Sequence, residues 1–375
     1  MKTVSAFFII LLSIISGQVH GQFVCNTITT TSSLKSSSFI DVTNYIPNDS
    51  TPVKYIRVNI HYMLRSPSDP LYPGNFTPTG DGLGNNYNGY QFAEDLINTA
   101  NYRLSLNDPM RLPPGNSTPV LSRRYFYILN GVFFHEDSNY YYYPAQPDLK
   151  YRENNGEAVN VYITILRNSN EGGGGYAVLS GIRFVVLCGI WERYRSNIQD
   201  KGLWVAAHAL NHEIGHNLSL LHTVLTWDGK CSDFVDDYCT DTPTRIEIRE
   251  NFNIEACCGW NCSTGSNNMM DYSGEEAITP QQLGRVHWTL ANEMKSYLWC
   301  EFVNYNININ IFNANKSYIG RNVNFSNTTP IIINNNKALF INAEEVTING
   351  PIEIWPGSLM IIGLAPNKSD FSTEG

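Results

Sequence analysis

The chain of 375 residues carries 34 acidic against 25 basic side chains, a formal charge of −9 with a pI near 5.4. That balance leaves no basic footprint for nucleic acid or an anionic membrane surface. Charged residues make up only 16% while hydrophobic ones reach 42%, which supports a packed core and excludes disorder as the ground state.

Residues 1–21 read as a secretory leader. Lys2 precedes an apolar run, Ala6 to Ile15, broken only by Ser13, and Gly17 and Gly21 supply small residues for cleavage near Gln22. The run falls well short of the roughly 20 residues that span a bilayer, and no later segment is long enough, so a secreted, extracellular chain with no membrane span is expected. Cysteine usage agrees. Of eight cysteines, Cys231, Cys239, Cys257, Cys258, Cys262 and Cys300 lie in the second half, an even set suited to stapling a loop-rich region with disulfides. Cys25 reads as a disulfide partner for Cys188 or Cys300; the alternative is a thiolate that blocks a metal.

Taken in order, Thr51 to Leu64 alternates apolar and polar residues and reads as a strand. A Gly-, Pro- and Asn-rich loop covers Ser66 to Asn88. Phe92, Leu96, Ile97, Ala100 and Leu104 recur at helical spacing, predicting an amphipathic helix over Gly89 to Leu106. Arg124 to Phe134, Ala158 to Leu166 and Ile182 to Cys188 read as strands, the last one buried. Gly172 to Gly175 has no Lys-Ser/Thr behind it, so it is no phosphate loop; a flexible loop or an edge-strand turn beside a cleft fits better. A second long helix is expected from Gly202 to Leu221, with Trp204, Leu210, Ile214 and Leu218 facing the core. A third begins at Thr279, an N-cap followed by Pro280, and runs towards Leu298. Together these predict an α+β chain with an α/β-like upper lobe, a twisted mixed sheet carrying two main helices.

After Cys300 the composition shifts. Val303 to Ile311 alternates with asparagines as one strand, and short apolar pieces follow at Ile331–Ile333, Leu339–Ile341, Val346–Ile348, Ile352–Ile354 and Leu359–Ile361. The division is therefore a leader at 1–21, a main domain at 22–301 and a small all-β module at 302–375, in the manner of a stacked ribbon without a fixed repeat.

The chemistry concentrates in one stretch, Asn211 to His222. His212 and His216 are four residues apart on a helix, so both imidazoles leave one face, a turn apart. Glu213 lies beside them. This is the His-Glu-x-x-His pattern of a catalytic zinc site, with the glutamate as general base towards water. His222 follows six residues after His216 and is off that helical face, so the chain must turn back for it to serve as third ligand. Three neutral imidazoles leave the ion's full charge to act on water, and Glu213 would take the proton and pass it to the leaving amine. His208, a turn earlier, reads as a packed histidine rather than a ligand.

The stretch from His212 to His222 resembles the metzincin zinc motif. Leu221-His222-Thr223, Asp241-Thr242-Pro243, Asn268-Met269-Met270-Asp271-Tyr272-Ser273 and the Thr279-Pro280-Gln281-Gln282 helix start resemble the pappalysin and cytophagalysin branch. The resemblance spans about residues 55–300 and is specific over 205–285. It implies a two-lobed zinc endopeptidase acting on protein or peptide, with an irregular, disulfide-rich lower lobe. It also implies that Met270 underlies the ligands in a tight turn. Tyr272 would sit near the metal, either to contact zinc or the reacting carbonyl or as a structural residue. One departure is Ser219, where metzincins carry glycine. Asp228, Asp233, Asp236, Asp237 and Asp241 are open to two readings, a Ca2+ site or a solvated acidic loop. Asn48, Asn75 and Asn116 stand in glycosylation triplets. An extracellular adhesion protein using the C-terminal β module is the competing function, and hydrolysis of a non-peptide amide is a further one.

Overall fold

A computed structural model describes residues 24–25, 40–144, 147–153, 157–165, 174–178, 182–223, 237–244, 246–247, 267–271 and 274–299. It also describes 304–364 apart from 314–315, 327 and 336. In chain order the first elements are β1 (Val24–Cys25), β2 (Lys54–Leu64), α1 (Gly89–Ser105), β3 (Tyr125–Glu136), α2 (Ser138–Tyr142) and α3 (Asp148–Tyr151). Then come β4 (Val159–Thr164), β5 (Gly174–Ala177), β6 (Phe184–Cys188), α4 (Ile190–Ser196), α5 (Leu203–Asn217) and α6 (Pro280–Asn292). The result is a mixed α+β architecture followed by an all-β region.

The first six strands form one sheet in the order β1-β5-β6-β4-β2-β3. β6, β4, β2 and β3 run parallel, and β5 reverses against β6. β1 in turn pairs with β5, Val24 opposite Gly174 and Cys25 opposite Gly175. α1 starts at a capping box in which Asn88 and Gln91 exchange side-chain and backbone bonds. It buries Phe92, Leu96, Ile97, Ala100 and Leu104 against β3 and α5, as the helical spacing predicts.

β2 departs from the half-exposed strand that its alternation suggests. Ile56, Val58, Ile60 and Tyr62 fill the helix-side core, but Asn59 and His61 on the opposite face are also fully buried. That face is roofed by a tyrosine-rich layer including Tyr141, Tyr162 and Tyr176. Beneath it the polar side chains satisfy one another: Asn130 donates to Asn59 at 2.7 Å, Asn59 donates to Asn160 at 3.0 Å, and His61 reaches Asn160 and His135 at 2.9 Å. Mutual pairing is what makes polar groups tolerable there.

Two further expectations are corrected. Trp204 is 48% exposed and lies 4.2 Å from the Arg103 guanidinium, a surface cation–π contact in the first turn of α5. Asn75 is fully buried and donates to the Met63 and Ile163 carbonyls at 3.1 and 3.0 Å, so the folded chain cannot carry a glycan there; Asn48 and Asn116 are exposed.

After residue 303 come β7 (Asn304–Ile307), β8 (Ile311–Phe312), β9 (Lys316–Phe325), β10 (Ile331–Ile333), β11 (Ala338–Ile348), β12 (Ile352–Ile354) and β13 (Leu359–Leu364). The single strand expected from Val303 to Ile311 is thus broken between β7 and β8, and the pieces around Leu339 and Val346 merge in β11. Odd-numbered strands stack in parallel as β13-β11-β9-β7 and even-numbered ones as β12-β10-β8. Successive strands alternate between two walls, the layout of a short parallel solenoid. Leu339, Ile341, Ile333 and Phe325 point into its own core. Phe340, of opposite parity, points out and joins the main core between Tyr90 and Phe133, with ring centroids 6.3 and 5.8 Å away. Phe340→Ala is expected to cost about 3–5 kcal/mol of stability, measured by denaturant unfolding of the full chain.

Candidate active site

α5 is buried around its whole circumference from Ala206 onwards, which fixes it against the sheet and under the loop at 267–271. It ends at Asn217 rather than at the expected Leu221. The reason is Ser219, whose φ of +66° places it in the left-handed region. Ser219 N–H bonds to the His216 carbonyl and Leu220 N–H to the Gly215 carbonyl, both at 3.0 Å, the two reversed bonds of a Schellman stop. The position usually held by glycine thus needs glycine's conformation, and serine adopts it. α6 secures the turn: Arg285 Nε donates to the Ser219 carbonyl at 3.1 Å and Thr289 Oγ1 to that of Leu218 at 3.2 Å.

The turn returns His222 to the helix. His222 Nε2 lies 3.2 Å from both His212 Nε2 and His216 Nε2, and one nitrogen from each of the three falls within 4.8 Å of the others. The opposite ring nitrogens face the main chain. His212 Nδ1 meets the Met269 carbonyl and His216 Nδ1 the Leu220 carbonyl, each at 2.8 Å, which leaves both Nε2 atoms with lone pairs directed into the cluster. Burial holds all three imidazoles below the ordinary histidine range, with neighbouring imidazoles adding to the effect on His212 and His222. His216 falls to about 4.

Two glycines set the walls of this site. A Cβ on Gly175 would stand 2.6 Å from Glu213 Oε1, so the β5 backbone packs directly on the carboxylate. A Cβ on Gly215 would stand 2.6 Å from Met270 Sδ, which places the fully buried Met270 directly against α5 at Gly215. The Met270 amide is held by Asn268 Oδ1 at 2.9 Å, and the Met270 carbonyl receives Thr223 N–H at 3.4 Å, next to the third histidine. Asn268 is locked in turn by Gln282, the capping-box residue of α6. Sequence reading places Met270 beneath the histidines and the glycine run at 172–175 beside a cleft, where Gly175 proves to lie in a strand packed on Glu213, and it overlooks Gly215.

Of the other expected residues, His208 lies outside the cluster, its Nδ1 3.3 Å from Glu276 Oε1. Asp241 accepts the Gln281 amide at 2.9 Å, a carboxylate at the start of α6. Asp237 accepts from Cys239 N–H and the Thr242 hydroxyl at 3.0 Å each, and burial pushes its carboxyl up to about 7. Tyr272, Asp228, Asp233, Asp236 and Cys231, Cys257, Cys258, Cys262 and Cys300 lie outside the described residues, and with them the disulfide-rich lower lobe.

Ligands about 2.0–2.1 Å from a tetrahedral zinc stand about 3.3 Å from one another, so the 3.2 Å separations at His222 fit that ion. A histidine cluster with a glutamate on the same helix, over a buried methionine, defines a zinc metallopeptidase of the metzincin type. Residues 149–291 match the family model of Peptidase_M43, described as pregnancy-associated plasma protein-A. That span, which holds His212, Glu213, His216, His222 and Met270, supports a metzincin-type zinc metallopeptidase, and zinc is the metal that the matched family implies. Among curated proteins none matches the chain. Among the described residues no helix is long and apolar enough to cross a membrane.

Ser219→Gly should stabilise the fold by about 1 kcal/mol, read from the urea midpoint, because glycine occupies the left-handed region without a Cβ clash. Gly175→Ala should lower peptidase turnover with the bound zinc unchanged, since the new methyl must displace the Glu213 carboxylate.

Proposed function

We propose that the chain is a secreted endopeptidase that hydrolyses extracellular proteins or peptides, with His212, His216 and His222 holding zinc and Glu213 as general base. The observation that carries this reading is the convergence of the three imidazole nitrogens on the turn at Ser219. When bound, the ion supplies Lewis acidity to water and to the scissile carbonyl. Glu213 takes a proton from the attacking water and returns it to the departing amine nitrogen. Gly175 leaves room for that carboxylate, and its near-complete burial raises the strength of its interaction with charge that develops beside it. The carbonyls of Met269 and Leu220 hold His212 and His216 in the tautomer that ligates. Support for secretion is the leader-like run from Ala6 to Ile15.

Glu213→Gln should lower kcat on casein or a peptide library by on the order of 10²–10⁴ with zinc content intact, and a chelator should abolish cleavage. Cleavage that survives both treatments would exclude this reading. Acid provides a second test. Unfolded imidazoles take up protons near pH 6.5, whereas His216 does so only near 4. Protonation therefore favours the unfolded, metal-free chain increasingly as pH falls through that window. Metal analysis after dialysis should find zinc retained at neutral pH and lost progressively as acid protonates the imidazoles.

A further inference from the structure

β5 touches Glu213 yet lies near the margin of the sheet. Among the described residues it pairs with β6 through Gly175, Tyr176 and Ala177, and with β1 through Val24 and Cys25 alone. Its helix-facing residues are small: Gly175 packs on Glu213, and Ala177 is fully buried in the main core. Tyr176 between them belongs to the tyrosine roof on the other face. That alternation lets the strand approach α5 closely, but it does not hold the strand there. Asn217, the last residue of α5, does. It is fully buried, and its Nδ2 donates to the Val178 carbonyl at 2.7 Å and to the Phe184 carbonyl at 3.3 Å. The β5–β6 register pairs Ala177 with Val185, so Val178 and Phe184 are the next pair towards the turn, and one amide group spans both strands of the hairpin.

Both neighbours are acceptors, which fixes the NH2 end of the side chain towards the hairpin. Oδ1 has no partner among the described residues, and the end of α5 is closed by the bonds at Ser219 and by α6. The amide therefore serves the hairpin and not the helix terminus. The strand meets α5 at two points, Gly175 on Glu213 and Val178 on Asn217. About 10 Å of strand and about 6 Å of helix separate them, so the tether sets how closely the β5 backbone presses on the carboxylate. We propose that Asn217 is a positioning residue for peptide hydrolysis: it clamps the β5–β6 hairpin on α5 and so holds the Glu213 carboxylate in the orientation that takes a proton from water. This role rests on Glu213 being the general base. Loss of the tether lets β5 lift, opens space at Gly175 and frees Glu213 to other rotamers, with His212, His216 and His222 left in place.

Asn217→Leu keeps the branched shape and removes the donor. In the full chain it should bind zinc as the wild type does, lower kcat on a fluorogenic peptide by about tenfold to a hundredfold, and speed amide hydrogen exchange across residues 174–178. A cycle with Glu213→Gln separates this effect from general loosening. Because Asn217 acts through the carboxylate, adding Asn217→Leu to Glu213→Gln should change the residual cleavage by about twofold or less. Undiminished turnover in Asn217→Leu, the same loss in both backgrounds, or a fall in kcat with exchange at 174–178 unchanged would overturn the assignment. A Glu213→Gln variant that cleaves like the wild type would instead remove the general-base reading itself. Should Asn217→Leu not fold, Asn217→Ser, whose hydroxyl is one bond short of both carbonyls, goes through the same cycle.

Discussion

Three imidazoles must meet within about one ligand diameter, yet only two of them can share a helix face. The rest of the site follows from that constraint. His222 reaches the pair only if α5 stops abruptly and the chain reverses, and the left-handed Ser219 supplies the reversal. Three carbonyls at the stop are used again. The Leu220 carbonyl orients His216, and the carbonyls of Leu218 and Ser219 accept Thr289 and Arg285. Backbone groups at a helix terminus ordinarily go to water; here these three hold side chains.

Three parts of the molecule brace this joint from different directions. The sheet presents β5 so closely that Gly175 admits no side chain against Glu213. The loop at 267–271 inserts Met270 beneath Gly215 and fixes His212 through Met269. α6 holds both, through the Asn268–Gln282 pair on one side and the turn carbonyls on the other. The C-terminal solenoid is attached to the same core by Phe340, so the compositional break after Cys300 is not matched by a break in packing.

How much of this could be read in advance depends on whether the partners are near in sequence. The histidine spacing, the N-cap at Thr279 and the core face of α1 are local patterns; the structure gathers the three imidazoles, caps α6 at Thr279 and buries that face of α1. The special backbone at residue 219 was legible too, from the glycine that the motif ordinarily carries. What pattern could not give was the second side of each element. β2 looked half-exposed because nothing local announces a tyrosine roof built from residues about a hundred positions downstream. Asn75 sits in a glycosylation triplet, but its burial is set by carbonyls at 63 and 163. Arg103, Glu276 and His208 are joined over separations of up to 173 residues. The solenoid escaped as a repeat because its coils differ in length: Asn304 pairs with Asn322, Ile311 with Ile332, and Lys316 with Leu339.

The two histidines on α5 are steered by main-chain oxygens, those of Met269 and Leu220, rather than by the carboxylates or amides that often perform this task. Every residue type has a carbonyl, so the chemical identity of positions 269 and 220 is released from the duty of orienting an imidazole. What the aim of His212 and His216 requires there is a path of the chain and not a functional group. A substitution at either position that keeps that path leaves both rings aimed as they are.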